Sequence, residues 1–213
     1  PAHRVDPFEL DVPGDPSSAA FALAAGVLCG AAAVTDVCLN PGRTGFYEML
    51  ARMGAEMDTL VGPPQAGEPV GTVSVRRSEL SGITVTSQDV PSAVDELTLL
   101  AVLATQAQGT TEVTGAQELR VKESDRIAAI AAGLRRMGAT VQERPDGFVV
   151  SGPVQLSGAV VDSWEDHRIA MALAVAGLVA NGETVIEGFE AASVSWPGFE
   201  EVLRTMGADV EVR

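Results

Sequence analysis

The sequence predicts an α/β fold: an inside-out α/β barrel domain of three pseudo-threefold βαβαββ repeats, helices inside and sheets outside, the last repeat incomplete. Three observations predict it. The triplet Met-Gly-Ala occurs at Met53-Gly54-Ala55, Met137-Gly138-Ala139 and Met206-Gly207-Ala208, each time after an amphipathic helical stretch and before a strand-like run, with Gly where a helix ends. Upstream of each amphipathic helix lies a more apolar one, which belongs inside. Hydrophobic residues make up 46% of the chain but aromatics only 4%. The core must therefore come from Ala, Val, Leu and Ile, which suits close-packed helices against sheets. Residues 1–213 read as one domain, with repeats at about 8–80, 81–152 and 153–213.

Taken in order, the first apolar helix opens at Pro13-Gly14-Asp15-Pro16-Ser17-Ser18 and runs to Ala25, before a strand over residues 33–39. The amphipathic helix 46–52 and a strand-like run follow, and residues 72–76 are expected to form a hairpin with 83–86. The second apolar helix opens around Pro91 and Asp95 and runs to Ala107, before a strand over 110–114 and the amphipathic helix 126–136. A hairpin then joins 140–143 to 148–150 across Pro145-Asp146-Gly147. The third apolar helix opens at Glu165-Asp166-His167-Arg168 and runs to Ala180, before a strand over 183–186 and the helix 198–205. The chain stops at Val210-Glu211-Val212-Arg213, read as one strand with no hairpin partner. Either the array is left open or another segment supplies the last strand, because an open sheet edge is a liability.

The 213 residues carry a formal charge of −15. That argues against nucleic acid or an anionic membrane as partner, since both need a basic footprint. The apolar run 19–33 is Ala/Gly-rich, short for a bilayer span and followed by Thr35-Asp36, so it reads as a buried helix. Cys29 and Cys38 fit no zinc or disulfide framework and read as two buried thiols of a cytoplasmic protein. No signal peptide is legible, and a chain that begins at Pro1 is expected to be processed or a piece of something longer.

Against this acidic background the stretch from Glu118 to Arg126 packs six charged residues into nine positions, and Lys122 is the only lysine in the chain. Part of it is explained by a solvated loop becoming a helix with Ser124 as N-cap. That does not explain a Lys122-Glu123 pair held between Arg120 and Arg126. Asp15, Asp95 and Asp166 recur in phase at the starts of the three apolar helices. Capping accounts for Asp15 and Asp166, and less well for Asp95, which stands several residues after Pro91.

Helix N-termini converging at one end would make an anion site of orphan amides and dipoles. Lys122, Arg126 and Arg168 would add two arginine forks and one mobile point charge, suited to a ligand bearing carboxylate and phosphate. Asp95 and Glu123 are candidates for base and acid. His167 is either a catalytic imidazole or a ring bonded to nearby backbone. His3 receives no role. No Gly-Lys-Ser/Thr phosphate loop, nucleophile elbow or metal-ligand spacing is present.

Four stretches together resemble the 3-phosphoshikimate 1-carboxyvinyltransferase (EPSP synthase) family: Val12-Pro13-Gly14-Asp15 with Ser17-Ser18-Ala19-Ala20, Asn40-Pro41-Gly42-Arg43-Thr44-Gly45, residues 119–127, and Asp166-His167-Arg168-Ile169-Ala170-Met171-Ala172. The resemblance runs over essentially the whole chain. It implies transfer of the enolpyruvyl group of phosphoenolpyruvate to the 5-hydroxyl of shikimate 3-phosphate, with no metal and no organic cofactor. It implies that Asp95 accepts a proton and Glu123 donates one, that Lys122 reaches both substrates, that Arg126 and Arg168 clamp phosphoenolpyruvate, and that His167 lines that pocket. The signatures differ from those of the sister family acting on UDP-N-acetylglucosamine, although a related transferase with another acceptor stays open.

Two departures accompany the resemblance. Family members are about twice this length, so an N-terminal domain carrying most shikimate 3-phosphate contacts is expected as a missing partner. Ser193-Val194-Ser195-Trp196-Pro197 also lacks a lysine that some members carry there. The expected product is 5-enolpyruvylshikimate 3-phosphate, in aromatic amino acid biosynthesis, with the isolated chain inactive. The alternative is a non-catalytic stand-alone binding or structural domain with the same repeats.

Overall fold

In a computed structural model, which describes residues 7 and 9–212, the chain alternates helices and strands as its periodicity predicts. His3 and the first residue of the first repeat lie outside the described residues. Asp15 accepts a hydrogen bond from Ser18 N at 2.9 Å and Pro16 pre-sets the first turn of α1 (Pro16–Cys29). Then come β1 (Ala31–Cys38), α2 (Gly45–Arg52), β2 (Met57–Val61) and β3 (Val70–Arg76). The second set is β4 (Thr84–Val85), α3 (Leu97–Gln106), β5 (Gly109–Val113), α4 (Arg126–Arg136), β6 (Thr140–Arg144) and β7 (Gly147–Gly152). The third is β8 (Val160–Asp162), α5 (His167–Gly177), β9 (Val185–Glu187) and α6 (Phe199–Thr205).

Helices α1, α3 and α5 contact one another, and nearly every residue of α1 and α3 is buried. Ala, Leu and Val on all sides of a helix leave it no face to offer water, so burial is its only stable place. The flanking helices α2 and α4 keep a polar side, with Arg52, Arg135 and Arg136 in their last turns, where cations suit the helix dipole. Phe21 of α1 meets Phe199 of α6 edge-to-face at 6.0 Å between ring centres.

The three Met-Gly-Ala triplets do the same backbone work. Gly54, Gly138 and Gly207 adopt φ of 91°, 95° and 95°. Each time the following Ala amide bonds back five residues, as Ala55 N does to Leu50 O at 3.0 Å. This is the six-to-one bond that closes a helix end, and it needs a left-handed residue.

Each buried helix is flanked by parallel pairing: Gly14 bridges Val37 across α1, β4 pairs with β5 across α3, and β8 pairs with β9 across α5. Parallel neighbours need such a crossover. The hairpin 140–143/148–150 forms as expected, with β6 antiparallel to β7.

Four expectations are corrected. Residues 72–76 do not pair with 83–86. Strand β3 is flanked on both edges by β1 and β2, and β4 joins β5 in the next sheet. Gly82 permits that crossing, because a Cβ there would meet Thr110 O at 2.3 Å. Residues 208–212 form no strand: they pair with none of the described strands, and Arg204 Nε donates to Val210 O at 2.7 Å instead; Arg213 lies outside the described residues. Among the described residues the strands form separate sheets of three, four and two, and they do not close into a barrel. Finally, Cys29 is exposed and Cys38 half-buried, both as free thiols, because they lie at a helix end and on a sheet edge rather than in the core. No helix among the described residues is long and apolar enough to cross a membrane.

Candidate active site

The N-terminal ends of α3, α4 and α5 meet, and the charged residues that precede or open them form one cluster. Asp95 lies in the 3-10 turn Val94–Glu96 just before α3 and makes no capping bond. Its in-phase counterparts Asp15 and Asp166 do cap, accepting from Ser18 N and Arg168 N. Freed from the helix, the Asp95 carboxylate faces three cations. Arg126 Nη1 donates to Asp95 Oδ1 at 3.0 Å, Lys122 Nζ stands 3.7 Å from the same oxygen, and Arg168 Nη2 stands 3.7 Å from Oδ2.

Arg126 opens α4, whose N-cap is Asp125, accepting from Ala128 N at 3.0 Å. The cap is therefore not Ser124. Having a better-placed carboxylate beside it, Ser124 turns away and donates to Asp166 Oδ2 at 3.0 Å. Arg126 is 1% exposed. Its Nε donates to Asp166 Oδ2 at 2.8 Å, and its Nη2 donates to Glu123 Oε2 at 2.6 Å and to Asp166 Oδ1 at 3.3 Å. Lys122, at the end of the turn Gln117–Val121, pairs with Glu118 at 2.9 Å. Arg168, in the first turn of α5, has Nη1 3.4 Å from Glu96 Oε1.

The electrostatics follow from these contacts. Burial pushes the Asp95 carboxyl up, but Arg168, Lys122 and Arg126 outweigh it and hold the group below the usual carboxylate range. The hydrogen bond to Glu118 raises Lys122 despite partial burial, so it stays charged. Asp166 is opposed by its burial, yet the Arg126 bond and charge, the Arg168 amide and Ser124 hold its carboxyl low. Burial first, and the Arg168 charge second, lower His167 and favour a neutral imidazole. No backbone hydrogen bond to that ring is seen among the described residues.

The cluster thus brings together Asp95, Lys122, Glu123, Arg126 and Arg168, with His167 beside Arg168. Two participants are not assigned by sequence reasoning. Glu96 is 4% exposed, and burial raises its carboxyl while Ser17 and Arg168 partly oppose that. Asp166 reads as a plain N-cap, and its bonds to Ser124 and Arg126 span 42 and 40 residues. Its one local signal was its phase with Asp95. Three cations converging on carboxylates that water can reach make a site where an incoming anion can replace the acids as partner. Among the described residues no group of three His, Cys, Asp or Glu is placed to hold a metal ion.

The model of the EPSP synthase (3-phosphoshikimate 1-carboxyvinyltransferase) family matches residues 1–203. A 3-phosphoshikimate 1-carboxyvinyltransferase of Roseiflexus sp. (strain RS-1) is 49% identical over 207 residues, covering 95% of this chain and 48% of that protein. One from Desulforamulus reducens is 44% identical, over 92% of this chain and 46% of that one. The solved EPSP synthase of Acinetobacter baumannii superposes with a TM-score of 0.88 at 38% identity, over 92% of this chain and 46% of that chain. The chain spans about half the length of the curated relatives it matches. With its signature stretches folded into one charged cluster and the family match running over nearly its whole length, the chain belongs to the EPSP synthase (3-phosphoshikimate 1-carboxyvinyltransferase) family.

Proposed function

We propose that this chain supplies the acid, the base and the phosphoenolpyruvate clamp for enolpyruvyl transfer to the 5-hydroxyl of shikimate 3-phosphate. The observation that carries the reading is Asp95 held ionised among Lys122, Arg126 and Arg168. An ionised carboxylate next to a bound hydroxyl can take its proton as the oxygen attacks C2 of phosphoenolpyruvate. Glu123 protonates C3, giving a tetrahedral intermediate whose phosphate and carboxylate charges fall to the three cations. Loss of a proton from the new methyl group and departure of phosphate then regenerate the vinyl ether, 5-enolpyruvylshikimate 3-phosphate. The neutral His167 lines the phosphoenolpyruvate side.

An N-terminal half is the partner this reading requires. Two anions must be held in near-attack geometry in a closed, dry cleft, and the cluster here forms one wall of it. The isolated chain therefore turns over little or not at all. In the same reading residues 1–213 form one domain of three repeats, with the sheets wrapped around the buried helices about a pseudo-threefold axis. A cytoplasmic location fits the two free thiols.

Calorimetric titration with phosphoenolpyruvate tests the proposal. Weak binding that Arg126→Ala abolishes supports it. Absence of binding at millimolar ligand points instead to a non-catalytic domain. Turnover by this chain alone comparable to that of a two-domain enzyme would overturn the half-site reading.

A further inference from the structure

We infer that Asp166 is a positioning residue, whose carboxylate fixes the Arg126 guanidinium and ties together the two chain segments that carry the cluster. The inference rests on the proposed function only for the identity of the anion that Arg126 receives.

A helix cap needs one accepted hydrogen bond, and Asp166 accepts four. Oδ2 accepts from Arg126 Nε at 2.8 Å and Ser124 Oγ at 3.0 Å, while Oδ1 accepts from Arg168 N at 2.9 Å and Arg126 Nη2 at 3.3 Å. Those four bonds fill the lone-pair directions of a carboxylate. The comparison with Asp15 separates capping from this arrangement. Asp15 caps α1 in the same way, yet its side chain is 46% exposed and its arginine partner, Arg43, is 54% exposed. Asp166 and Arg126 are 0% and 1% exposed. Capping does not require a carboxylate to leave water. Burying one beside an arginine is tolerated only when every polar atom is paired in good geometry.

The bonds also fix which edge of the guanidinium is free to work. Asp166 takes the Nε–Nη2 edge with both oxygens. The other edge, Nη1 and Nη2, points to Asp95 and Glu123, whose side chains are 34% and 51% exposed. Solvent-reachable carboxylates can give way to an incoming anion, whereas the buried one cannot. Asp166 thus holds the fork by its back edge and leaves the front edge for a two-pronged ligand. Through Ser124 it restrains the loop carrying Lys122 and Glu123, and through the Arg168 amide it sets the start of α5. One carboxylate therefore aligns groups from two separate segments.

The test is a ranking of two variants in the 213-residue chain. Asn caps helices as well as Asp does, whereas Glu is not among the favoured caps. A capping role therefore predicts that Asp166→Asn resembles wild type and Asp166→Glu is the worse. Positioning by charge predicts the reverse: Asp166→Glu partly rescues, and Asp166→Asn loses roughly tenfold or more in phosphoenolpyruvate affinity, the size a lost charged hydrogen bond carries. Hydrogen exchange of the Arg126 Nε–H, followed by nitrogen-15 NMR, should be slow in wild type, intermediate in the Glu variant and fast in the Asn variant. Equal exchange and affinity in wild type and Asp166→Asn would overturn the inference. If the wild-type chain binds no phosphoenolpyruvate, the functional reading fails, and the exchange ranking still decides the role of Asp166. If Asp166→Asn does not fold, Asp166→Glu decides: retained protection of Nε–H supports positioning, and exchange as fast as in an exposed arginine refutes it.

Discussion

Arg126 Nε donates to Asp166 Oδ2 at 2.8 Å across 40 residues of sequence, and neither side chain reaches solvent. This pair makes the proposed anion clamp part of the fold. Breaking a buried ion pair from one side leaves an uncompensated charge, so Arg126→Ala should lower the unfolding free energy by about 3–5 kcal/mol. Replacing both partners with apolar residues, Arg126→Met with Asp166→Leu, should recover much of that loss. Urea unfolding of the two variants checks this, and equal losses in both would contradict it.

Lys122 should behave differently. Its contacts to Glu118 at 2.9 Å and Asp95 at 3.7 Å lie near the surface, where Glu118 is largely exposed. Such pairs contribute about 1 kcal/mol or less. Lys122→Gln should leave the urea midpoint nearly unchanged and remove phosphoenolpyruvate binding. A large loss of stability would make Lys122 a structural residue and undo its assignment to the ligand.

The helices were legible because their signals are local. The Ala- and Leu-rich run around Leu97–Gln106 has no polar face, and each Met-Gly-Ala marks a helix end whose Gly takes a left-handed conformation. Strand existence was legible from alternation, but strand partners were not. The pattern of Val70–Arg76 says that one face is buried and does not say that both edges are already taken by β1 and β2. The site divides the same way. Lys122, Glu123 and Arg126 stand out because they crowd together in an acidic, lysine-poor chain. Asp166 did not, because its cap signature gave a complete local explanation while its two other partners lie more than 35 residues away. Glu96, noted only as the neighbour of Asp95, receives no role from sequence for a similar reason: only the fold buries it against Ser17 and Arg168.

Acid should unfold the chain in two recognisable stages. His167 is held below its usual value by burial and by Arg168. The unfolded chain therefore binds that proton first, so stability present above about pH 6.5 is lost as pH falls through the folded value. Asp95 and Asp166 are also held low, and their contributions are present above about pH 4 and decline below it. His167→Gln should remove the upper stage and leave the lower. Thermal melts between pH 7 and pH 3 read both stages, and an unchanged profile in His167→Gln would remove the histidine from the account.

Glu96 carries the opposite sign. Burial raises its carboxyl, and Asp95 adds to the rise, while Ser17 and Arg168 offset only part of it. A carboxyl raised on folding contributes stability below its unfolded value, about pH 4.3, and that stability is lost as pH rises through the folded value. At neutral pH an ionised Glu96 therefore costs the fold something, which the uncharged isostere avoids. Relative to wild type, Glu96→Gln should gain stability as pH rises above about 4.3 and stay level below it. The same change removes the carboxylate facing Arg168 Nη1 at 3.4 Å, so phosphoenolpyruvate binding should weaken while stability increases. Urea unfolding at pH 4 and pH 8, paired with calorimetry at pH 8, measures both directions. A stability difference that does not change with pH would show that Glu96 is uncharged throughout or that its ionisation is fully compensated.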